Sequence, residues 1–218
     1  MRRIIVLSFI AALAIAGCKK QTGNVSVVKT ASYPIISIAG PRFVSIPVGG
    51  MFTPSNAYAE DTFYKEKPTV VTDLGTLDNT KPGLYTVRYS AKNSNGFVGT
   101  AVVYVAVTNI SDTFDLSGYY FRLNNPRNVA FVTKLARGLF MTSNVAGVDT
   151  GDATSGALVS AVFASLDTAT IDFGSQPTSE GTLTASSASV SYPDTTISYI
   201  INLNGFSNTT MRSFIKQP

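Results

Sequence analysis

Lys81-Pro82-Gly83-Leu84-Tyr85-Thr86-Val87-Arg88-Tyr89-Ser90-Ala91-Lys92, followed by Asn93-Ser94-Asn95-Gly96, carries the pattern that decides the fold. Tyr85, Val87, Tyr89 and Ala91 interleave with Thr86, Arg88, Ser90 and Lys92. This is the period-two signature of a strand with one apolar and one wet face. The Asn-Gly turn then leads into Phe97 to Val107, where Ala101, Val103, Val105 and Val107 share a face. Two such strands around an Asn-Gly turn predict a β-hairpin. Upstream, Ile35-Ile36-Ser37-Ile38 and Phe43-Val44-Ser45-Ile46 are short apolar runs divided by Gly40-Pro41. Pro47-Val48-Gly49-Gly50 and Asp78 to Gly83 are turn signals, with Val70-Val71 and Leu74 between them. Several strands within residues 33–108 predict a small β-sandwich.

Downstream, Asn109 to Asp115 reads as a polar linker, and residues 116–218 again read as strands. Apolar segments are expected at Tyr119 to Leu123, Val129 to Leu135, Leu139 to Thr142, Leu158 to Phe163, Thr170 to Phe173, Ser189 to Tyr192, Ile197 to Leu203 and Met211 to Ile215. Arg137-Gly138 predicts a tight hairpin turn. Short, regular connections favour an antiparallel meander, either a curled sheet or a partly closed barrel. The expected fold class is therefore all-β: a sandwich followed by an antiparallel, barrel-like domain. Ala146 to Gly156 is the longest stretch without a pattern, and long loops on β scaffolds commonly carry binding.

Residues 33–108 resemble the bacterial Ig-like modules of cell-surface and secreted proteins. The resemblance rests on the early Ile-x-Ile strand, the Val48-Gly49-Gly50 turn, the Lys81-to-Ala91 stretch, the Asn-Gly turn and the valine-rich last strand. It implies a spacer or adhesive unit rather than a catalyst. Many members carry an Asp-Gly-rich segment in mid-domain, whereas this chain reads Ala59-Glu60-Asp61-Thr62-Phe63-Tyr64-Lys65-Glu66, so a calcium site is not expected. The second block resembles the C-terminal domain of two-domain lipoproteins from Bacteroidetes. Leu116-Ser117-Gly118-Tyr119-Tyr120, Gly138-Leu139-Phe140, Thr195 to Tyr199 and Arg212 to Lys216 carry that likeness, which implies a cell-envelope protein connected with glycan capture.

The N-terminus adds a location. Arg2-Arg3 precede an apolar run from Ile4 that ends in Ile15-Ala16-Gly17-Cys18. This resembles a lipoprotein signal peptide with its lipobox, with residues 1–17 removed, Cys18 acylated and residues 18–32 acting as a tether. The run is shorter than the roughly 20 residues of a membrane-spanning helix, and Lys19-Lys20 follow at once. The resemblance implies diacylglycerol on the thiol and an acylated amine, and three acyl chains exceed the two signals needed for stable anchoring. The expected partner is thus a membrane through the lipid, and the expected place the outer membrane, facing either the periplasm or the outside.

Composition narrows the chemistry. The chain has 218 residues, one cysteine and no histidine. The commonest general base and zinc ligand is missing, and Ser-His-Asp and Cys-His arrangements are excluded. Part of the formal charge of +4 comes from Arg2 and Arg3, and no Lys/Arg cluster suits a nucleic-acid backbone. No metal or cofactor is expected. Asp149-Thr150-Gly151 has the tripeptide of aspartic proteases, but that chemistry needs a second such carboxylate, and Asp152 stands where a small residue is typical. A turn is the better reading. Asp149 with Asp152, or Asp167 with Asp172, could pair for glycoside hydrolysis, but they stand mainly in turn-like sequence. Asp167-Thr168-Ala169 and Asp194-Thr195-Thr196 resemble a short O-glycosylation motif of Bacteroidetes. The candidate ligand-binding residues are Tyr119, Tyr120, Asp149 and Asp152. Tyr119 and Tyr120 must face opposite sides of their strand. The expected function is non-catalytic, with the Ig-like module presenting the second domain to a glycan or another surface protein. The alternatives are a structural lipoprotein without a small ligand and, third, an aspartate-dependent hydrolase.

Overall fold

The computed structural model describes residues 30–151, 158–203, 206–207 and 210–218, and every regular element among them is a strand. The N-terminal part contains β1 (Ile35–Ile38), β2 (Phe43–Ile46), β3 (Ala57–Glu60), β4 (Val70–Asp73), β5 (Gly83–Lys92) and β6 (Val98–Val107). β1 pairs antiparallel with β3, and the other sheet has the order β2-β6-β5-β4, with β2 and β6 parallel. The expected hairpin is β5–β6, in register from Gly83↔Val107 to Lys92↔Val98. Its apolar face pairs Val87 with Val103 and Tyr89 with Ala101, and these residues are buried against Ile36, Ile46 and Ala59. Gly96 holds the turn at a φ of 93°, a conformation that a side chain would strain.

The alternation of β5 and β6 fails at one end, where Leu84 and Ala106 are buried on the face that should be wet. They form a second core with Leu139, Val162 and Ala164 from the C-terminal part. Polar contacts flank it. The Leu84 N–H donates to Asp172 Oδ2 at 2.8 Å, and the Thr108 hydroxyl donates to the Ser165 carbonyl at 2.7 Å. Gly174, with a φ of 55°, approaches so closely that a Cβ would lie 2.4 Å from the Leu84 carbonyl oxygen. Ser32–Pro218 accordingly forms one compact unit.

The sandwich closes over a buried carboxylate. Asp61 Oδ1 accepts from the Ser32 hydroxyl at 2.7 Å and from the Phe63 and Tyr64 N–H groups at 3.1 Å each. Its Oδ2 accepts from Asn93 Nδ2 at 2.7 Å. Burial pushes its pKa up, but these donors outweigh burial and hold it below the ordinary carboxylate value. A depressed pKa gives stability that is present above the unfolded-state value and lost as pH falls through the folded-state value. Asp61→Asn, which sets one amide donor against the Asn93 amide, is expected to lower the melting temperature at pH 7 by about 5 °C. The variant should also lose less on acidification below pH ~4 than the parent. Circular-dichroism melts across pH check both points.

The C-terminal part contains β7 (Gly118–Arg122), β8 (Asn125–Ala136), β9 (Leu139–Thr142), β10 (Ala161–Ser165), β11 (Ile171–Asp172), β12 (Ser175–Thr178), β13 (Gly181–Ser191), β14 (Thr196–Leu203), β15 (Phe206–Ser207) and β16 (Arg212–Lys216). They make one antiparallel sheet, in the order β11-β10-β9-β8-β7-β16-β14-β13-β12, with β15 beside β14. The Arg137-Gly138 turn joins β8 to β9 as expected, with Gly138 at a φ of 62°.

The sheet curls until its edges meet. β11 and β12 are separated only by Phe173-Gly174, yet β11 pairs with β10 and β12 with β13. Thr170 bridges to Ser189, and the Val190 N–H donates to the Ala169 carbonyl at 2.7 Å. Gln176 completes the seam. Its Oε1 accepts from the Val162 N–H at 2.8 Å, while its Nε2 donates to the carbonyls of Val162 at 2.6 Å and Phe173 at 2.7 Å. The interior is filled by a run of rings: Phe140, Phe163, Phe173, Tyr199 and Phe214, with successive centroids 4.9–6.0 Å apart. The void left among them is about 10 Å³, no more than one water.

Candidate functional site

A filled interior leaves only outer surfaces for binding. β8, β10, β13 and β16 end, and β7 and β14 begin, at the sandwich end of the barrel-like sheet. The polar linker packs there too, and a shallow groove of about 690 Å³ opens beside it. Asn109, Phe114, Asp115, Asp167, Thr168 and Tyr192 are among its lining residues. The ring of Tyr192 is 54% exposed, so an aromatic face stands beside carboxylates and hydroxyls, the mixture that recognises a polyol with apolar C–H faces.

The carboxylates are oriented by local turns. Asp115 accepts the Ser117 N–H at 2.8 Å. Burial raises its pKa, but Ser117 and the charges of Lys134 and Lys216 bring it below the ordinary value. Asp167 accepts the N–H groups of Ala169 and Thr170 at 2.7 Å each, and chiefly the Ala169 bond lowers its pKa. Both are therefore anionic near neutrality and available as acceptors for sugar hydroxyls. Thr168, the threonine of one resembled glycosylation motif, is exposed in the same groove.

The residues singled out in the sequence are dispersed. Tyr119 is 59% exposed on the outer face of the sheet, tilted against Phe131 with centroids 4.8 Å apart. Tyr120 points the other way into the core and donates its hydroxyl to the Leu116 carbonyl at 2.7 Å, so it has no face to offer a ligand. Burial pushes its phenol pKa up. Asp149 lies toward the opposite end of β8, where Thr150 donates to the Arg127 carbonyl, four residues and about 13 Å along the strand from Phe131. Its Oδ1 accepts the Gly151 N–H at 2.8 Å, the turn geometry expected of Asp149-Thr150-Gly151. Asp172, the other hydrolase candidate, is bonded to Leu84 and Gly174 in the contact between the two parts. Asp152 and Cys18 lie outside the described residues. Among those residues, no cluster of carboxylates is placed to hold a metal ion.

The sandwich topology and the β5–β6 hairpin agree with a known family. Residues 36–107 match the family model of the bacterial surface protein, Ig-like domain. The Ig-like domain thus covers all six strands of the sandwich apart from the first residue of β1. No curated protein matches this chain. Among solved structures, it is similar to the lipoprotein BT2262 from Bacteroides thetaiotaomicron, with 20% identity and a TM-score of 0.39 over 84% of this chain and 100% of that one. The Ig-like domain fits a protein of the bacterial cell envelope.

Tyr192 and Asp115 escaped the sequence reading because residues from three separate turns build the groove. Tyr192 precedes Pro193-Asp194 and reads as the end of a strand. The usable signal was an aromatic immediately before a turn, on the same side of the sheet as the linker.

Proposed function

We propose that this chain is a lipid-anchored, non-catalytic protein of the outer membrane, in which Cys18 carries the anchor and the Ig-like domain holds the barrel-like sheet toward a glycan. The observation that carries this reading is the groove with Tyr192, Asp115 and Asp167 beside the joint. It offers one ring to stack on a sugar and anionic acceptors for its hydroxyls. The fused second core supports the presenting role, because it fixes the barrel-like sheet, which carries Asp167 and Tyr192, against the Ig-like domain.

The full chain in detergent, tested on a glycan array and in affinity gels, is expected to be retained by at least one polysaccharide. Tyr192→Ala should weaken retention about tenfold, the effect of a contact worth ~1.4 kcal/mol. Tyr119→Ala should leave it unchanged. Loss with Tyr119→Ala instead would move the site to the outer face. No retention of any polysaccharide would sink glycan capture and favour the structural lipoprotein.

A further inference from the structure

The end of the barrel-like sheet opposite the groove holds two arginines that make no ion pair among the described residues. Arg122 on β7 and Arg212 on β16 both stand at this end, and Phe214, two residues beyond Arg212, is the strand partner of Arg122. Such diagonal neighbours lie about 7–8 Å apart. The segment Val145 to Gly147 crosses this end and turns successive carbonyls toward the wall. Val145 O accepts from the Tyr199 hydroxyl at 3.1 Å, and Ala146 O accepts from Arg212 Nε at 2.7 Å. Gly147 O accepts from Arg122 Nη1 at 3.1 Å and also from Asn128 Nδ2.

These bonds satisfy donors but neutralise no charge. Neither guanidinium has an ion-pair partner among the described residues, whose ion pairs are Lys81–Asp78 and Lys134–Asp112. Arg212 is only 7% exposed, and its Nη1 is buried with no hydrogen-bond partner. Asn128 Oδ1 is likewise unpartnered. Burial, and then the charge of Arg122, lower the Arg212 pKa. Asp149, the carboxylate nearest in sequence to the crossing segment, spends Oδ1 on its own turn. A buried guanidinium with an idle donor beside a second cation is costly unless an anion completes it.

We infer that Arg122 and Arg212 form an oxyanion site, taking a carboxylate, phosphate or sulfate group of an acidic envelope ligand at the free end of the sheet. Arg122, half-buried, receives the group from solvent, and the idle Nη1 of the planar Arg212 fork supplies the second set of donors. The site lies at the opposite end from the groove and does not depend on the groove's binding a glycan.

The test is the melting temperature of the full chain in detergent, with sodium phosphate, sulfate or glucuronate against chloride at matched ionic strength. A rise of about 5 °C is expected at roughly a hundredfold excess over the dissociation constant. Arg122→Gln should remove the rise while melting as a folded protein in chloride. Arg212→Lys, which keeps the charge but loses the fork, should weaken it. A rise with glucuronate alone would assign the site to acidic sugars, and a rise with phosphate or sulfate to phosphorylated or sulfated groups. Equal melting in all four salts, or an undiminished rise in Arg122→Gln, overturns the inference and leaves the idle donor to a water molecule.

Discussion

Phe163→Ala is expected to destabilise the protein by about 3–5 kcal/mol, the usual cost of deleting a fully buried phenyl ring. That is a large share of the roughly 5–15 kcal/mol that keeps a typical domain folded. The effect should fall at the top of the range because Phe163 is fully buried and touches rings on both sides. Its centroid lies 5.5 Å from Phe140 and 5.3 Å from Phe173. Phe140 stands on β9 and Phe173 in the link between β11 and β12, so they cannot collapse into the space without moving the backbone of the curled sheet. Phe163→Leu retains most of the volume and should cost much less. Urea denaturation of the two variants checks the difference. Equal losses would show that the interior is looser than the ring spacing indicates.

The legible parts of this chain are those where one face is wet and the other buried. The middle of the β5–β6 hairpin is legible because Val87, Tyr89, Val103 and Val105 face the sandwich core while Arg88 and Thr100 meet solvent. The contact between the two parts was not legible in the same way. Leu84 and Ala106 are out of phase with their strands, and an isolated apolar residue on a wet face has no period to announce its partner. β12 was missed because Ser175-Gln176-Pro177-Thr178 is polar and contains proline, which suits only an edge. The first half of β13 was missed because Gly181 to Ala188 is mostly small and polar, with a register shift between Ser186 and Ser189 where Ser187 has a φ of 52°. Tyr119 and Tyr120 show both sides of the limit. Their opposite orientation followed from strand geometry alone, but which of them faced the core depended on the curl of the sheet.

The closure of the curl also uses one side chain that no sequence pattern marked. Gln176 is 1% exposed and acts as a surrogate strand, giving and taking a backbone-like pair of bonds with Val162 and binding the Phe173 carbonyl as well. Gln176→Ala would leave the Val162 N–H, the Val162 carbonyl and the Phe173 carbonyl without these partners, each at about 1–3 kcal/mol if it stays buried. A total loss of about 3–5 kcal/mol is expected, because water entering the opened seam recovers part of the sum. Gln176→Glu separates the hydrogen bonds from mere packing, since it preserves the shape. Its carboxylate can still accept from the Val162 N–H, but it sets negative charge against two carbonyl oxygens that had received N–H groups. Burial and those carbonyls would raise its pKa above the ordinary glutamate value of about 4.3. With the folded-state pKa raised, the variant's deficit relative to the parent is smallest below the unfolded-state value and grows as pH rises through the folded-state value. Urea titrations at pH 5 and pH 8 should therefore show the deficit of Gln176→Glu widening with pH while that of Gln176→Ala stays level. A pH-independent deficit in both variants would mean that the seam is held by packing alone, and that the two edges of the sheet meet without needing the amide between them.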